Sequence, residues 1–187
     1  MNKGVEMMSE TQLDQNKSIV FIGFMGVGKT TIAKLVAKRL NRRMIDIDKE
    51  IEKKFQMPTT EIFKRYGEPF FRKQEKEMTL HYCKQPNLVI SLGGGAFLQD
   101  DIKRFCLAHN IVIFLDIGFD AWKKRMPRLV ATRPLLQQKT LDEMKELYMA
   151  RQKIYQHHHI RIKTDSLRSK DAADIIVKRL ESYVTKT

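Results

Sequence analysis

The chain has 187 residues and a mass of 22.0 kDa, and its 35 lysines and arginines outnumber its 22 aspartates and glutamates, giving a formal net charge of +13. With 42% hydrophobic residues it can build a core, which excludes wholesale disorder, and no apolar run reaches the ~18 residues that a membrane span needs. The positive charge is compatible with three kinds of partner: nucleic acid, an anionic surface or small acidic ligands.

Residues 1–17 are polar and are expected to form a mobile tail that lacks the apolar segment of a secretory signal. A single domain is predicted over residues 18–187, where short apolar runs alternate with segments of helical periodicity. Strands are predicted at 19–22, 44–47, 88–92, 111–115 and 160–163. Helices are predicted at 29–40, 48–82 (with breaks at 57–58 and 67–69), 100–108, 119–126, 140–155 and 171–183. This alternation predicts an α/β fold with a parallel sheet covered on both faces.

The first predicted strand leads directly into a glycine-rich segment. Residues 23–30 read G-F-M-G-V-G-K-T and match G-x-x-x-x-G-K-[ST] at every fixed position. In this motif, backbone N–H groups surround phosphate oxygens at the N-terminus of the following helix. Lys29 is expected to reach the terminal phosphates and the Thr30 hydroxyl to ligate Mg²⁺. A nucleoside triphosphate is therefore the predicted ligand, although the motif alone fits switches, motors and kinases alike.

Two carboxylates follow at the second predicted strand. Asp46 and Asp48 are two residues apart, so their side chains share a face if the strand continues that far. Ligands of open parallel sheets bind at this carboxyl end, and a kinase needs carboxylates near the metal and near the acceptor hydroxyl. The alternative interpretation is that Asp48 caps the next helix, although Ile51 occupies the place of a capping-box glutamate.

The third predicted strand ends in three consecutive glycines, Gly93, Gly94 and Gly95. Glycine loses the most backbone freedom on folding, so three in a row indicate a place where backbone closely approaches a ligand or other backbone. A tight turn from strand to helix is the other interpretation.

Arginines and lysines are concentrated between Asp120 and Asp142, where no acidic residue occurs. Such a segment is commonly a solvated face. Because it contains Pro127 and Pro134, part of it is expected to be a loop, and a basic loop that closes over a transferring phosphate stabilises its charge.

The two cysteines, Cys83 and Cys106, are too few for a disulfide framework or a four-cysteine zinc site. They are expected to be buried thiols without a cysteine partner nearby, in a reducing cytoplasm.

Taken together, these segments resemble the motif set of the shikimate kinase family. The resemblance extends from about residue 18 to 180. It rests on the order and spacing of residues 21–31, 46–48, 71–72, 91–96, 132–136 and 150–151.

The resemblance implies a three-layer α/β/α fold of the P-loop kinase type with a five-stranded parallel sheet. It also implies a small substrate lobe at about 48–82 and a mobile lid at about 123–138. The implied reaction transfers the γ-phosphate of ATP to the 3-hydroxyl of shikimate, in chorismate and aromatic amino-acid biosynthesis, with Mg²⁺ as cofactor.

On the shikimate side, the resemblance implies that Asp48 holds ring hydroxyls and helps to accept the proton. Arg72 and Arg151 would clamp the carboxylate, and the backbone of Gly93–Gly95 would contact the substrate.

On the nucleotide side, the implied contacts come from the phosphate loop and the lid: Gly26, Val27, Gly28, Lys29, Thr30, Thr31 and Arg133. Lys29, Asp48 and Arg133 are the implied catalytic residues. Thr30 would ligate Mg²⁺ directly, and Asp46 and Ser91 would hold its waters.

The sequence departs from the family on the adenine side. Met126 stands where family members often have an arginine, so either Arg125 or Arg128 is expected to replace it. Arg168 is assigned to the adenine loop.

Two other functions compete with this one. The first is another small-molecule kinase of the same fold, acting on a nucleoside monophosphate or on gluconate; paired Arg72 and Arg151 argue against it, because a carboxylate is their preferred partner. The second is a nucleic-acid-binding protein, but no aromatic-interleaved basic stripe or reader motif is present. The chain is therefore expected to act as a cytoplasmic monomer on ATP and shikimate, without nucleic acid or membrane partners.

Overall fold

The protein is described here from a computed structural model over residues 16–130 and 140–184, apart from the side chains of 128–130 and 184. The five strands are β1 (Ile19–Ile22), β2 (Arg43–Asp46), β3 (Leu88–Ser91), β4 (Ile111–Asp116) and β5 (Ile160–Lys163). The helices are α1 (Lys29–Arg39), α2 (Ile47–Phe55), α3 (Thr59–Cys83), α4 (Asp100–His109), α5 (Phe119–Val130), α6 (Leu141–Tyr155) and α7 (Ser169–Val184). A short 3₁₀ helix covers Ala96–Leu98.

The strands form one parallel sheet in the order β2-β3-β1-β4-β5. In the centre, Ile19 of β1 pairs with Val89 of β3 on one side and with Ile111 of β4 on the other. Every residue of β1, β3 and β4 is buried, as expected where helices cover both faces of a sheet. The predicted α/β fold with a five-stranded parallel sheet is confirmed, and the carboxyl ends of β1, β2 and β3 meet at one edge.

The boundary between β2 and α2 differs from the prediction. The strand ends at Asp46, and α2 begins at Ile47. Asp46 is the N-cap, because its Oδ1 accepts a hydrogen bond from the backbone N–H of Lys49 at 3.3 Å. The strand therefore ends one residue before the predicted Ile47 and does not continue to Asp48, and the alternative interpretation of Asp48 as the capping residue is wrong.

Helix α3 is interrupted in the way that the sequence predicts. Gly67 has φ of 80° and ψ of 170°, and Pro69 follows two residues later inside the same helix. Proline removes a backbone donor and crowds the preceding turn, and the left-handed φ at Gly67 absorbs the resulting bend. The predicted break at 57–58 also occurs, between α2 and α3.

The two cysteines are buried, as predicted, but they are not far apart. Because α3 packs against α4, the Sγ atoms of Cys83 and Cys106 lie 3.6 Å from each other. The expectation that neither has a cysteine nearby is wrong. Their hydrogen bond, together with burial, raises the pKa of the Cys83 thiol, which keeps this sulfur protonated and unreactive.

Two boundary regions also differ from expectation. The last residues assigned to the tail contact the domain, since the Asn16 carbonyl accepts from the Asn87 N–H at 2.9 Å and the Lys17 carbonyl from Arg42 at 2.8 Å. Helix α5 continues through Pro127 to Val130, because proline's φ is compatible with a helix and only one hydrogen bond is lost. Residues 1–15 of the expected tail and 131–139 of the expected lid, including Arg133, lie outside the described residues.

None of the described helices combines the length and the apolar character that crossing a membrane requires.

Candidate active site

A cavity of about 240 Å³ opens at the carboxyl ends of β1, β2 and β3. It brings together the phosphate loop, both aspartates and the glycine segment, which are far apart in sequence. Its lining residues are Gly26, Gly28, Lys29, Thr30, Thr31, Asp46, Asp48, Ser91, Leu92, Gly93 and Gly94.

The phosphate loop follows β1 and ends at the start of α1. Gly26 and Gly28 have φ of 78° and 102°, left-handed values that only glycine adopts without strain. Gly28 is the N-cap of α1 and has no side chain to cap it, so the first N–H groups of the helix remain available for an anion. Lys29 lies across the loop, with its Nζ donating to the carbonyl oxygens of Gly23 at 2.7 Å and Phe24 at 3.1 Å.

Hydroxyl and carboxylate oxygen atoms lie together where the first turn of α1 meets the cavity. The Thr30 hydroxyl donates to Oδ2 of Asp46 at 2.6 Å, which leaves the oxygen lone pairs of Thr30 for another ligand. Ser91, the last residue of β3, is buried at the cavity wall and pairs in register with Asp46. Hydroxyl and carboxylate oxygens are the donors that Mg²⁺ prefers, so these residues fit the ion that the phosphate loop implies.

Asp48 and Glu75 both lie close to Gly93. A Cβ atom built on Gly93 would lie 2.7 Å from Oδ1 of Asp48 and 2.9 Å from Oε1 of Glu75. The absence of a side chain at this residue therefore allows both carboxylates to approach the loop after β3. Asp48 extends from the first turn of α2 into the cavity.

Arg72 of α3 is held beside this loop by two carboxylates. Its Nη1 donates to Oε2 of Glu75 at 2.7 Å, and its Nε to Oε1 of Glu68 at 3.1 Å. Glu75 is only 1% exposed, and burial raises the pKa of its carboxyl group, while Arg72 and a hydrogen bond from Gln99 at 2.9 Å act in the opposite direction. The Arg72 guanidinium lies 5.5 Å from the centre of the Phe71 ring, so its position is fixed on several sides.

Arg151 and Tyr155 approach the glycine loop from α6. Both donate to the carbonyl oxygen of Gly94, Arg151 from Nη1 at 2.9 Å and Tyr155 from its hydroxyl at 2.6 Å. Burial lowers the pKa of Arg151, and the nearby positive charge of Arg72 lowers it further. Two guanidinium groups on different helices thus converge near the same three glycines.

A second arginine contact connects α5 to the phosphate loop. Arg125 donates to the carbonyl oxygens of Val27 at 3.4 Å and Thr164 at 3.1 Å. The indole N–H of Trp122, one turn earlier, donates to the Met25 carbonyl at 2.9 Å. Both contacts fix α5 against the outer side of the phosphate loop.

Most of the predicted site residues are brought together at this cavity. Arg72 and Arg151 lie next to it through their contacts around Gly95 and Gly94. The Val27 side chain is buried in the core, and its backbone N–H donates to the Phe24 carbonyl at 3.3 Å, so a ligand would have to replace that contact to bind this residue. Arg168 lies apart: it is 85% exposed and paired with Asp171 at 2.8 Å, and its assignment to adenine stays a prediction.

Three residues around the cavity do not appear in the sequence analysis: Glu75, Gln99 and Tyr155. Glu75 has a local signal, since it stands three residues after Arg72 and can pair with it on a helix. Gln99 and Tyr155 have none, because their partners are 24 and 61 residues away in sequence.

Comparisons with known proteins agree on one family. The family model described as shikimate kinase matches residues 25–181. A shikimate kinase of Oceanobacillus iheyensis is 52% identical over 167 residues, covering 89% of this chain and 91% of that protein. One from Bacillus subtilis is 46% identical, covering 89% and 90%.

The fold comparison gives the same result. The structure of shikimate kinase from Acinetobacter baumannii in complex with shikimate superposes with a TM-score of 0.83 at 30% identity, over 91% of this chain and 96% of that one. The family expected from the motifs is thus confirmed by sequence and by fold. The chain belongs to the shikimate kinase family.

Proposed function

We propose that this enzyme transfers the γ-phosphate of ATP to the 3-hydroxyl of shikimate, giving shikimate 3-phosphate and ADP. The observation that carries the proposal is one cavity lined by the phosphate loop, Asp48 and the glycine segment, with Arg72 and Arg151 beside it at Gly95 and Gly94. Family membership supports the same reaction.

The triphosphate binds along the phosphate loop. Its anionic oxygens accept hydrogen bonds from the backbone N–H groups at the N-terminus of α1, where the helix dipole is positive. Lys29 exchanges its carbonyl contacts for the terminal phosphates, since an ammonium group gains more from an anion than from neutral oxygens.

Thr30, Asp46 and Ser91 would hold Mg²⁺, Thr30 directly and the other two through water. When bound, the ion neutralises charge on the β- and γ-phosphates. The hydrogen bond from Thr30 to Asp46 orients the hydroxyl so that a lone pair faces the loop.

Asp48 orients and activates the acceptor. Its carboxylate accepts a hydrogen bond from the 3-hydroxyl, aligning the hydroxyl oxygen for attack on the γ-phosphorus. As the new P–O bond forms and the bond to the ADP oxygen breaks, the hydroxyl proton passes to Asp48. Arg133, implied by the resemblance to act from the lid, would add charge to the transferring group.

Arg72 and Arg151 select the acceptor by its carboxylate. A guanidinium forms two parallel hydrogen bonds to a carboxylate. The side chains of Arg72 and Arg151 are both partly buried. A neutral sugar would give Arg151 no carboxylate to bind and would add none to the two carboxylates that already pair with Arg72, so it would bind less tightly than an acid.

The acceptor assay tests this function. ADP release is measured with ATP and Mg²⁺, and the acceptor is shikimate, gluconate or a nucleoside monophosphate. Turnover is expected only when shikimate is the acceptor. Turnover with gluconate or a nucleotide but not with shikimate would contradict the proposal. Micromolar, salt-dependent binding to RNA or duplex DNA without kinase activity would favour the nucleic-acid-binding alternative instead.

Arg125 is the proposed adenine-side contact, because it touches both the phosphate loop and the loop at Thr164. Arg125→Met keeps the aliphatic stem and removes the charge. We expect the KM for ATP to rise about fivefold to tenfold, about 1.0–1.4 kcal/mol, with little change in the KM for shikimate. Arg168→Met tests the alternative: a rise in its KM for ATP, with none for Arg125→Met, would assign the contact to Arg168.

Gly95→Ala tests how closely the loop fits Arg72. The added Cβ would lie 2.5 Å from Nη1 and 2.6 Å from Nη2 of Arg72, so the guanidinium has to move. Because this movement also weakens the ion pair of Arg72 with the buried Glu75, we expect a lower unfolding midpoint together with a KM for shikimate raised about tenfold.

The matched control for this change is Gly118→Ala. Its Cβ would lie 2.6 Å from Oδ1 of Asp165. This contact is equally close and also involves the end of a side chain, but it does not involve Arg72 or Arg151. An equal rise in the KM for shikimate in both variants, or none in Gly95→Ala, would contradict the prediction.

We also propose that the enzyme acts as a monomer, because one chain supplies side chains for both substrates. We propose the cytoplasm as its location, since its two free cysteines are typical of a reducing compartment.

A further inference from the structure

Helix α6 presents two donors, one turn apart, to a single acceptor. Arg151 and Tyr155 both donate to the Gly94 carbonyl oxygen, which thereby uses both of its lone pairs. The Tyr155 bond is the shorter, at 2.6 Å against 2.9 Å. The phenol and the guanidinium are therefore coupled through one backbone atom of the substrate loop.

Tyr155 is itself firmly held. The residue is 1% exposed, and its ring packs against Phe114 of β4 with ring centres 5.5 Å apart. A buried hydroxyl without a partner is costly, so its bond to Gly94 fixes the distance between α6 and the loop. Burial raises the pKa of the phenol to about 12, so it remains a proton donor throughout the working pH range.

This contact determines which way the loop faces. The peptide between Gly94 and Gly95 is trans, so the N–H of Gly95 points opposite to the carbonyl that α6 holds. The backbone N–H groups of Gly93, Gly94 and Gly95 donate to no acceptor within the described part of the chain. They are available for oxygen atoms of a ligand once the carbonyl is fixed.

We propose that Tyr155 is a positioning residue for acceptor binding: it fixes the Gly94 carbonyl, and through it the orientation of the glycine loop and of Arg151. It does not touch the reacting atoms. This inference rests on the roles proposed above for Arg151 and Gly94, and it adds a residue whose partner is visible only in the folded protein.

The contact is made equally in the bound ground state and in the transition state, because the loop does not take part in the chemistry. Losing it therefore weakens acceptor binding without slowing the chemical step. Neither Tyr155 nor Gly94 belongs to the phosphate loop, so the KM for ATP is expected to stay unchanged. The expected signature is a split between KM and kcat that is confined to shikimate.

The test compares Tyr155→Phe with Tyr148→Phe. Tyr148 lies on the same helix, is also buried, and its hydroxyl donates to the Ile117 carbonyl at the same distance of 2.6 Å, away from the glycine loop. Both variants keep the ring and lose one hydroxyl with its hydrogen bond to a backbone carbonyl. We expect similar decreases in the unfolding midpoint, so stability alone does not separate them.

For Tyr155→Phe we expect a KM and a calorimetric Kd for shikimate raised about tenfold, about 1.4 kcal/mol, with kcat within about threefold and an unchanged KM for ATP. For Tyr148→Phe we expect an unchanged KM for shikimate. The proposal is overturned if Tyr155→Phe binds shikimate like the wild type, if Tyr148→Phe shows the same shift, or if only kcat falls.

Arg151→Lys separates this inference from the function on which it rests. If Arg151→Lys weakens shikimate binding and Tyr155→Phe does not, the positioning role alone is wrong. If neither variant alters shikimate binding, the proposed carboxylate clamp is wrong as well.

Discussion

Asp48→Asn is expected to lower kcat about a thousandfold, within the ~10²–10⁴-fold range typical of a general base. The amide has nearly the same shape and still fits beside Gly93, so folding and substrate binding are retained. What is lost is the negative charge that aligns the acceptor hydroxyl and receives its proton. Steady-state kinetics with ATP and shikimate, together with calorimetric titration of ATP, measure both parts: kcat falls while the Kd for ATP stays within about twofold.

Glu50→Gln is the control for this substitution. Glu50 lies on the same helix, and its Oε2 accepts a hydrogen bond from the Tyr82 hydroxyl at 2.7 Å, outside the cavity. The same change from carboxylate to amide should leave kcat within about twofold. Near-normal turnover in Asp48→Asn would remove Asp48 from its catalytic role, and an equal loss in Glu50→Gln would show that helix α2 has merely been disturbed.

The second large effect is expected from Arg151→Leu. Leucine fills much of the space of the aliphatic part of arginine but provides neither the charge nor the paired donors of the guanidinium. Tyr155 still donates a hydrogen bond to the Gly94 carbonyl. Charge-assisted hydrogen bonds contribute about 1.5–3 kcal/mol each, so losing a pair of them should lower kcat/KM for shikimate about 10²–10⁴-fold. The KM for ATP should not change.

A substrate analogue makes this test specific. Replacing the shikimate carboxylate with a neutral carboxamide should sharply reduce kcat/KM for the wild type but only slightly for Arg151→Leu, because the variant has lost part of the discrimination. Lys153→Leu, on the same helix and exposed, is the control and should discriminate like the wild type. If Arg151→Leu still discriminates like the wild type, the carboxylate is bound elsewhere.

The sequence predicts most of this fold because its strongest signals are local. Buried parallel strands are continuous apolar runs, and the phosphate loop has a fixed spacing, so strands β1, β3 and β4 and helix α1 are found within a residue or two. The end of β2 is missed because Ile47 extends the apolar pattern. The hydrogen bond that starts α2, from Lys49 to the Asp46 side chain, does not show in hydrophobic periodicity.

The features of the site and of the core that sequence patterns do not predict depend on contacts between distant segments. The pair of Tyr155 and Gly94 requires α6 to pack beside the loop after β3, and the closeness of Cys83 to Cys106 requires α3 to pack on α4. A single sequence contains no spacing rule for either contact. Motif order predicts which residues belong to the cavity, while tertiary packing determines which side chains hold them.

The strand order also places the phosphate loop and the glycine loop side by side. β1 and β3 are hydrogen-bonded neighbours in parallel register, with Phe21 opposite Ser91, so the donor loop and the acceptor loop leave the sheet about 4.8 Å apart. Backbone hydrogen bonds in the middle of the core maintain this separation. Substitutions of acceptor-side residues on α3 and α6 are therefore expected to change which acid is accepted while the two strand ends stay in place, which makes this scaffold suitable for redesigning acceptor preference.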